Sequence, residues 1–327
     1  MVKKTTVHYV CGGIGKPDMH NVWGGTLATN YIIKKAFENS TKYDLVIRGR
    51  LEFENISKVK EFLDKGDISW LDETSLLGEM FTAGYDRPTL IGPITRSPIK
   101  NYNGGNWNSV YTKDWFYTGH ILRLNENEEK PGARKLEFKS DKTDYMEKID
   151  YIRHGIDTEL LLPTPDKEKK YVLWAGMANR PAKNFKMFED IKYFINLYGG
   201  LPYGYAIRQM SNYPIGKFWE VLDETVVYVN TSLYESFCNA ANEARSKGVP
   251  TIVRDFLTGI VMYRDQPIQV PYDPADYAKK IIQICKDKNT YIKESKIARN
   301  WVVKNCALDV MRKDIEKVFG MIIKEQK

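Results

Sequence analysis

Long apolar runs are missing from this chain. No uninterrupted apolar segment approaches the ~20 residues a bilayer span requires, so a membrane, if one is involved, is met peripherally. Cysteine is scarce: Cys11, Cys238, Cys285 and Cys306 lie far apart and form no C-x-x-C pair. That spacing argues against a structural zinc site or a disulfide framework and fits a reduced, intracellular compartment. The opening MVKKTTVHYV has only a short apolar stretch before Gly12, without the apolar core of a signal peptide, so the expected location is cytoplasmic. The close carboxylate pair D-x-D, suited to holding a divalent cation on phosphates, occurs nowhere, and no metal site is expected.

Complete glycine fingerprints are also lacking. Cys11-Gly12-Gly13-Ile14-Gly15-Lys16-Pro17 invites comparison with the phosphate loop of nucleotide triphosphatases. Val10 stands where that loop needs its first glycine, and Pro17 where it needs Ser or Thr. The dinucleotide fingerprint fails as well, because Asp18 replaces its third glycine, which argues against a hydride-transfer enzyme.

What is present is a soluble, globular composition, 43% hydrophobic and 28% charged over 327 residues, a length that predicts two domains. The net charge of +7 is spread along the chain and is compatible with anionic substrates. Strand-like VHYV, YDLVIRG, ISWLDE and PTLIGPIT alternate with helical TLATNYIIKKAF, VKEFLDKG and LLGEMFTAG. After a Pro- and charge-rich junction the alternation resumes with YVLWAG, NFKMFEDIKYFINLYG, TVVYVNTS, FCNAANEARSKG, PTIVRD and DYAKKIIQICKD. Such alternation is the signature of parallel sheets with helices on both faces. The α/β pattern predicts two Rossmann-like domains, at 1–156 and 157–310, followed by a C-terminal segment at 311–327.

The stretch YESFCNAANEARSKGVP sets Glu235 and Glu243 around a predicted helix start, with seven residues between them. Ser236 is the expected N-cap, with the helix running from about Phe237 to Lys247 and ending before Gly248. Glu235 then lies at the carboxyl edge of a strand, where open α/β sheets bind ligands. The amides of Phe237, Cys238 and Asn239 would suit a phosphate, and Glu243 could accept from a ribose. Glutamates also occur near helix N-termini for structural reasons alone. Upstream, Gly176 ends a strand and is followed by Arg180 and Lys183, two cations suited to a diphosphate. Gly24 and Gly25 precede a helix and would let a ligand approach the backbone, although for this pair alone a plain turn between strand and helix is the favoured reading.

With these residues assembled, the sequence resembles the retaining glycosyltransferases of the GT-B fold, family four. The resemblance lies in SLYESFCNAANEARSKGVPTIV, similar to that family's E-x7-E segment, and in HGIDTELLLP, GMANRPAKNF, Gly24-Gly25 and the closing KIARNWVVKNCALDVMRKDIEKVF. It implies two Rossmann-like domains facing across a cleft, with the C-terminal helix crossing back to the N-terminal domain. It further implies a metal-independent hexosyl transfer from a nucleotide-diphosphate sugar, UDP- or GDP-linked, with no cofactor beyond that donor. Glu235 would serve the donor sugar and Glu243 the ribose, while Arg180 and Lys183 would bind the diphosphate and Gly25 would approach it. The family's arginine directly after the glycine is replaced here by Met177, and the glycine after its phenylalanine by Cys238. Family members often place a histidine near the reacting sugar, and of His8, His20, His120 and His154 the candidate is His120, with a buried structural role as its alternative. The acceptor stays open: a glycan or lipid-linked glycan is favoured, and protein or a modified DNA base is compatible. A sugar-nucleotide epimerase and an inactive sugar-nucleotide-binding protein remain the alternatives.

Overall fold

In a computed structural model of the chain, the residues described are 3–11, 25–71, 89–94, 121–123, 149–233, 238–254 and 266–325. They divide into two units, and the chain crosses between them at Gly155/Ile156 and again at Ala307/Leu308.

The first unit contains β1 (Thr5–Cys11), α1 (Gly25–Phe37), β2 (Tyr43–Gly49), α2 (Ile56–Asp64), β3 (Ile68–Leu71), β4 (Thr89–Ile94), β5 (Ile121–Arg123) and β6 (Ile149–Tyr151). The strands pair in parallel in the order β2-β1-β3-β4-β5-β6. Val7, Tyr9, Val10 and Cys11 of β1 are all fully buried, the continuous apolar run expected of a strand covered on both faces. In α2, Asn55 caps the first turn by accepting from Lys58 N, and Val59, Phe62 and Leu63 recur at helical spacing to bury one stripe.

The second unit contains β7 (Tyr171–Ala175), α3 (Phe185–Leu197), β8 (Ala206–Met210), α4 (Ile215–Asp223), β9 (Thr225–Val229), α5 (Asn239–Ser246), β10 (Thr251–Arg254), β11 (Gln269–Val270), α6 (Pro274–Lys286) and α7 (Lys288–Cys306). Its parallel sheet runs β11-β10-β9-β7-β8. Helices α3 and α6 close one face through Phe188, Ile191, Tyr277 and Ile281. Helices α4, α5 and α7 close the other through Phe218, Leu222, Ala244 and Val302.

The pair β8 and α4 was not anticipated from the sequence. β8 (AIRQM) is a partly exposed edge strand and carries little apolar signal. α4 did carry one: after Pro214, the apolar residues Ile215, Phe218, Trp219 and Leu222 fall on a single helical stripe.

The last helix, α8 (Leu308–Glu325), belongs to the first unit. Its Phe319 ring packs edge-on to Trp70 at 5.7 Å and against Tyr43 at 5.0 Å. Arg153 holds Asp314 of α8 through two charged hydrogen bonds of 2.7 Å each. Where the chain crosses between units, Ile156 N donates to Cys306 O at 2.6 Å.

Candidate functional site

Chain direction in the second sheet reverses once. From β7 the chain moves outward to β8 through α3, then returns past β7 to β9 through α4, on the opposite face. The helices that follow β7 and β9, α3 and α5, therefore lie on opposite faces, which makes this strand pair the switch point at whose carboxyl ends open α/β sheets bind ligands. Sequence places Arg180 and Lys183 after β7, and Glu235 and Glu243 after β9.

After β7, Gly176 is tied to the neighbouring strand by donating its N–H to Met210 O at 3.0 Å. A Cβ here would lie 3.3 Å from the Trp174 ring and 3.6 Å from Lys183 Cδ, so the lysine stem folds back over the strand end. Arg180 precedes a single 3-10 turn, Pro181–Lys183, and Asn184 then adopts a left-handed φ of 44° before α3 starts. Asn tolerates that conformation better than other non-glycine residues. The Arg180 side chain is exposed, and among the described residues no carboxylate pairs with it.

This loop is fastened to the one after β9. Trp174 Nε1 donates to Thr231 Oγ1 at 2.9 Å, and Thr231 Oγ1 donates to Lys183 O at 2.8 Å. Leu233 N donates to Ala182 O at 2.8 Å. Tyr272 adds a third tie: its hydroxyl donates to Thr231 O at 2.9 Å and accepts from Asn184 Nδ2 at 2.5 Å. The cationic turn is thus held from several sides, as a binding site on loops requires.

Helix α5 starts later than expected. Its N-cap is Cys238, not Ser236, and its first helical residue is Asn239, whereas Phe237 was expected there. Cys238 sits at φ 59°, ψ 73°, left-handed backbone that glycine adopts freely and other residues adopt at a cost. That requirement accounts for a glycine at this place in the family the sequence resembles. Asn230 Nδ2 donates to Cys238 Sγ at 2.9 Å and fixes the residue against the end of β9. Among the described residues, the Cys238 side chain makes no capping bond and no acidic residue lies in the first turn of α5, which makes its N-terminal amides a candidate place for an anion. Its far end closes as expected, with Gly248 left-handed at φ 70° and Gly248 N donating to Arg245 O at 2.9 Å.

Glu243 lies in the second turn of α5 and is only 5% exposed. Its Oε2 accepts from Trp219 Nε1 of α4 at 3.3 Å. Burial raises its carboxyl from 4.5 to about 7, opposed in part by the Trp219 hydrogen bond. Beside it, the Tyr213 hydroxyl is raised above its ordinary value chiefly by burial, with smaller contributions from Glu243 and Cys238. Two residues on, the Arg245 guanidinium is 1% exposed, stacks on Trp301 at 5.0 Å, and donates to Asn242 Oδ1 at 2.8 Å and Gln266 Oε1 at 2.7 Å.

No protein-family model matches this sequence, and no curated protein matches it. Solved structures do match. A glycosyltransferase from Rickettsia africae ESF-5 superposes with a TM-score of 0.68 at 12% identity, covering 99% of this chain and 100% of that one. The fold is the GT-B fold of glycosyltransferases. Sucrose-phosphate synthase from Thermosynechococcus elongatus gives a TM-score of 0.66 at 11% identity, covering 98% and 100% of the two chains. An alpha-glucosyltransferase in complex with UDP-glucose and DNA containing an abasic site gives 0.65 at 8% identity, again covering 98% and 100%. At these identities the likeness is one of fold.

Within this GT-B fold, Arg180 and Lys183 follow the carboxyl end of β7, Cys238 and Asn239 open the helix that follows β9, and Glu243 lies in the second turn of that helix against Trp219. Gly25 opens α1, while Gly24, Glu235, Phe237, His20 and His120 lie outside the described residues. His8 and His154 are structural. His8 is buried, donates from Nδ1 to Phe62 O and stacks on the Phe62 ring at 4.4 Å. His154 Nδ1 meets Gly155 O at 2.9 Å, so that nitrogen carries the proton, and Nε2 accepts from Thr29 Oγ1 at 2.9 Å. Burial lowers its ring from 6.5 to about 4. Sequence reasoning missed Trp219, which the helical stripe of α4 could have exposed. Among the described residues, no group of three His, Cys, Asp or Glu side chains could hold a metal ion, and no helix is long and apolar enough to cross a membrane.

Proposed function

We propose that the protein is a retaining, metal-independent glycosyltransferase that moves a hexosyl group from a nucleotide-diphosphate donor, a UDP- or GDP-sugar, to an acceptor. The observation that supports this is that Arg180 and Lys183 follow β7 while the N-terminus of α5 follows the neighbouring β9, at the single reversal point of the second sheet.

The chemistry follows from charge. As the anomeric C–O bond breaks, its electron pair leaves with the diphosphate and positive charge develops on the sugar ring. Arg180, Lys183 and the α5 amides would stabilise the departing phosphates electrostatically, and the backbone of the turn that carries the two cations is held in advance by the Thr231 and Leu233 ties. Glu243 takes the ribose hydroxyls, and Glu235 orients the sugar and steadies the charge that forms on it. Retention and these last roles come from the resemblance to family four. A neighbour holding UDP-glucose together with DNA supports a nucleotide-sugar donor and keeps a modified DNA base among the acceptors, beside glycan, lipid-linked glycan and protein.

The test is incubation with radiolabelled UDP- and GDP-sugars and candidate acceptors, following release of the nucleoside diphosphate. Release that disappears in Glu235→Ala supports the proposal. Conversion of one nucleotide sugar into another without diphosphate release would identify an epimerase instead, and binding without turnover an inactive relative.

A further inference from the structure

Met177 is 43% exposed at the place where the resembled family has an arginine, and a thioether offers a phosphate nothing. A different cation lies beside the same turn. Arg254 ends β10, next to β9 at the carboxyl edge of the sheet. Its guanidinium stacks on Tyr272 at 4.2 Å, and Tyr272 is the residue whose hydroxyl holds Asn184 and Thr231. Its Nη1 reaches Leu233 O over a long 3.4 Å, and Leu233 N is the group bonded to Ala182 O. Two independent paths therefore bring Arg254 to within one residue of the turn that bears Arg180 and Lys183.

The donors of Arg254 are largely unused. A guanidinium offers five N–H groups. Among the described residues, Arg254 Nε is buried without a hydrogen-bond partner, the long contact to Leu233 O is the one hydrogen bond of the side chain, and no carboxylate pairs with it. A buried donor left empty is costly, and an anion arriving at that edge would relieve the cost.

We infer that Arg254 is a third cation of the donor site and binds the terminal, sugar-proximal phosphate of the nucleotide diphosphate. The assignment rests on the proposed nucleotide-diphosphate reading of the site. The choice of phosphate follows from the two faces of the sheet. Glu243 is carried by α5 on one face, whereas Tyr272, beneath Arg254, packs with α3 and α6 on the other. A donor with its ribose at Glu243 presents to Arg254 the phosphate farther from the ribose.

Titration calorimetry with UDP, GDP, UMP and GMP tests this, on the wild type and on Arg254→Ala and Arg254→Lys. The expected result is that Arg254→Ala weakens the preferred diphosphate about tenfold or more, changes its monophosphate less than twofold, and that Arg254→Lys falls between. If Arg254→Ala does not fold, Arg254→Lys carries the test, with the diphosphate selectively weakened. Equal affinities for the diphosphate in wild type and variants would overturn the inference while leaving the donor site standing. An equal loss for monophosphate and diphosphate would also overturn it, since it would make Arg254 a support for Tyr272. A wild type that binds none of the four would remove the donor-site reading, and this inference with it.

Discussion

The indole of Trp219 and the carboxyl of Glu243 meet at 3.3 Å inside the second unit, in a contact between α4 and α5 that joins residues 24 positions apart. A carboxyl with so little solvent keeps its proton far above the ordinary range, to about 7. Between pH 4.5 and about 7 the unfolded chain has released a proton that the folded chain retains, so this group's contribution to stability falls as pH rises through that window. Glu243→Gln should flatten this limb of the stability profile, read by urea denaturation from pH 4.5 to 7.5. An unchanged slope in Glu243→Gln would show that the buried carboxyl is not the titrating group.

The same proton should be felt by the donor. Ribose hydroxyls donating to Glu243 favour its carboxylate, so binding should release protons and tighten as pH rises toward and past about 7. Calorimetry of the preferred nucleoside diphosphate in buffers of different ionisation enthalpy reads that proton count, which should vanish in Glu243→Gln.

His154 works in the opposite sense. Its folded pKa of about 4 lies below the ordinary 6.5, so between those values the unfolded chain binds a proton the folded chain refuses. Stability from this group is therefore complete above 6.5 and is lost as pH falls toward 4. His154→Gln should reduce the acid sensitivity of unfolding over that interval.

Cys238 occupies left-handed backbone at φ 59°. A residue with a Cβ gives up about 1–2 kcal/mol there. Cys238→Gly should raise the melting temperature, and Cys238→Val should lower it, because a β-branched side chain fits that region worst. A melting temperature lowered by glycine would show that the Asn230–Cys238 contact outweighs the backbone cost.

Phe319 of α8 packs on Tyr43 and Trp70 and is fully buried. Phe319→Ala should cost about 3–5 kcal/mol, measured by denaturation, although α8 is the last helix of the chain.

Strands such as TTVHYVC and TVVYV and the long amphipathic helices were legible in the sequence because their apolar periodicity is local. The order of the strands was not, since pairing β9 beside β7 rather than β8 depends on contacts between distant segments. In the site, Arg180 and Lys183 were visible as cations after a strand-ending glycine. The N-cap was misplaced because Ser236 has the better side chain for a cap, while the structure starts α5 at a left-handed Cys238 held by Asn230. The burial of Glu243 was invisible for a related reason: its cover comes from Trp219, in a helix the sequence reading passed over.

The central claim is that the carboxyl ends of β7 and β9 form the site for a nucleotide-diphosphate sugar, and thermal denaturation with a panel of UDP- and GDP-sugars tests it most directly. A ligand present at 100 times its dissociation constant adds about 2.7 kcal/mol to stability. At least one donor should raise the melting temperature of the wild type by several degrees, and the rise should be lost in the double variant Arg180→Ala/Lys183→Ala. A wild type whose melting temperature no nucleotide sugar moves, or a shift that survives in the double variant, would contradict it.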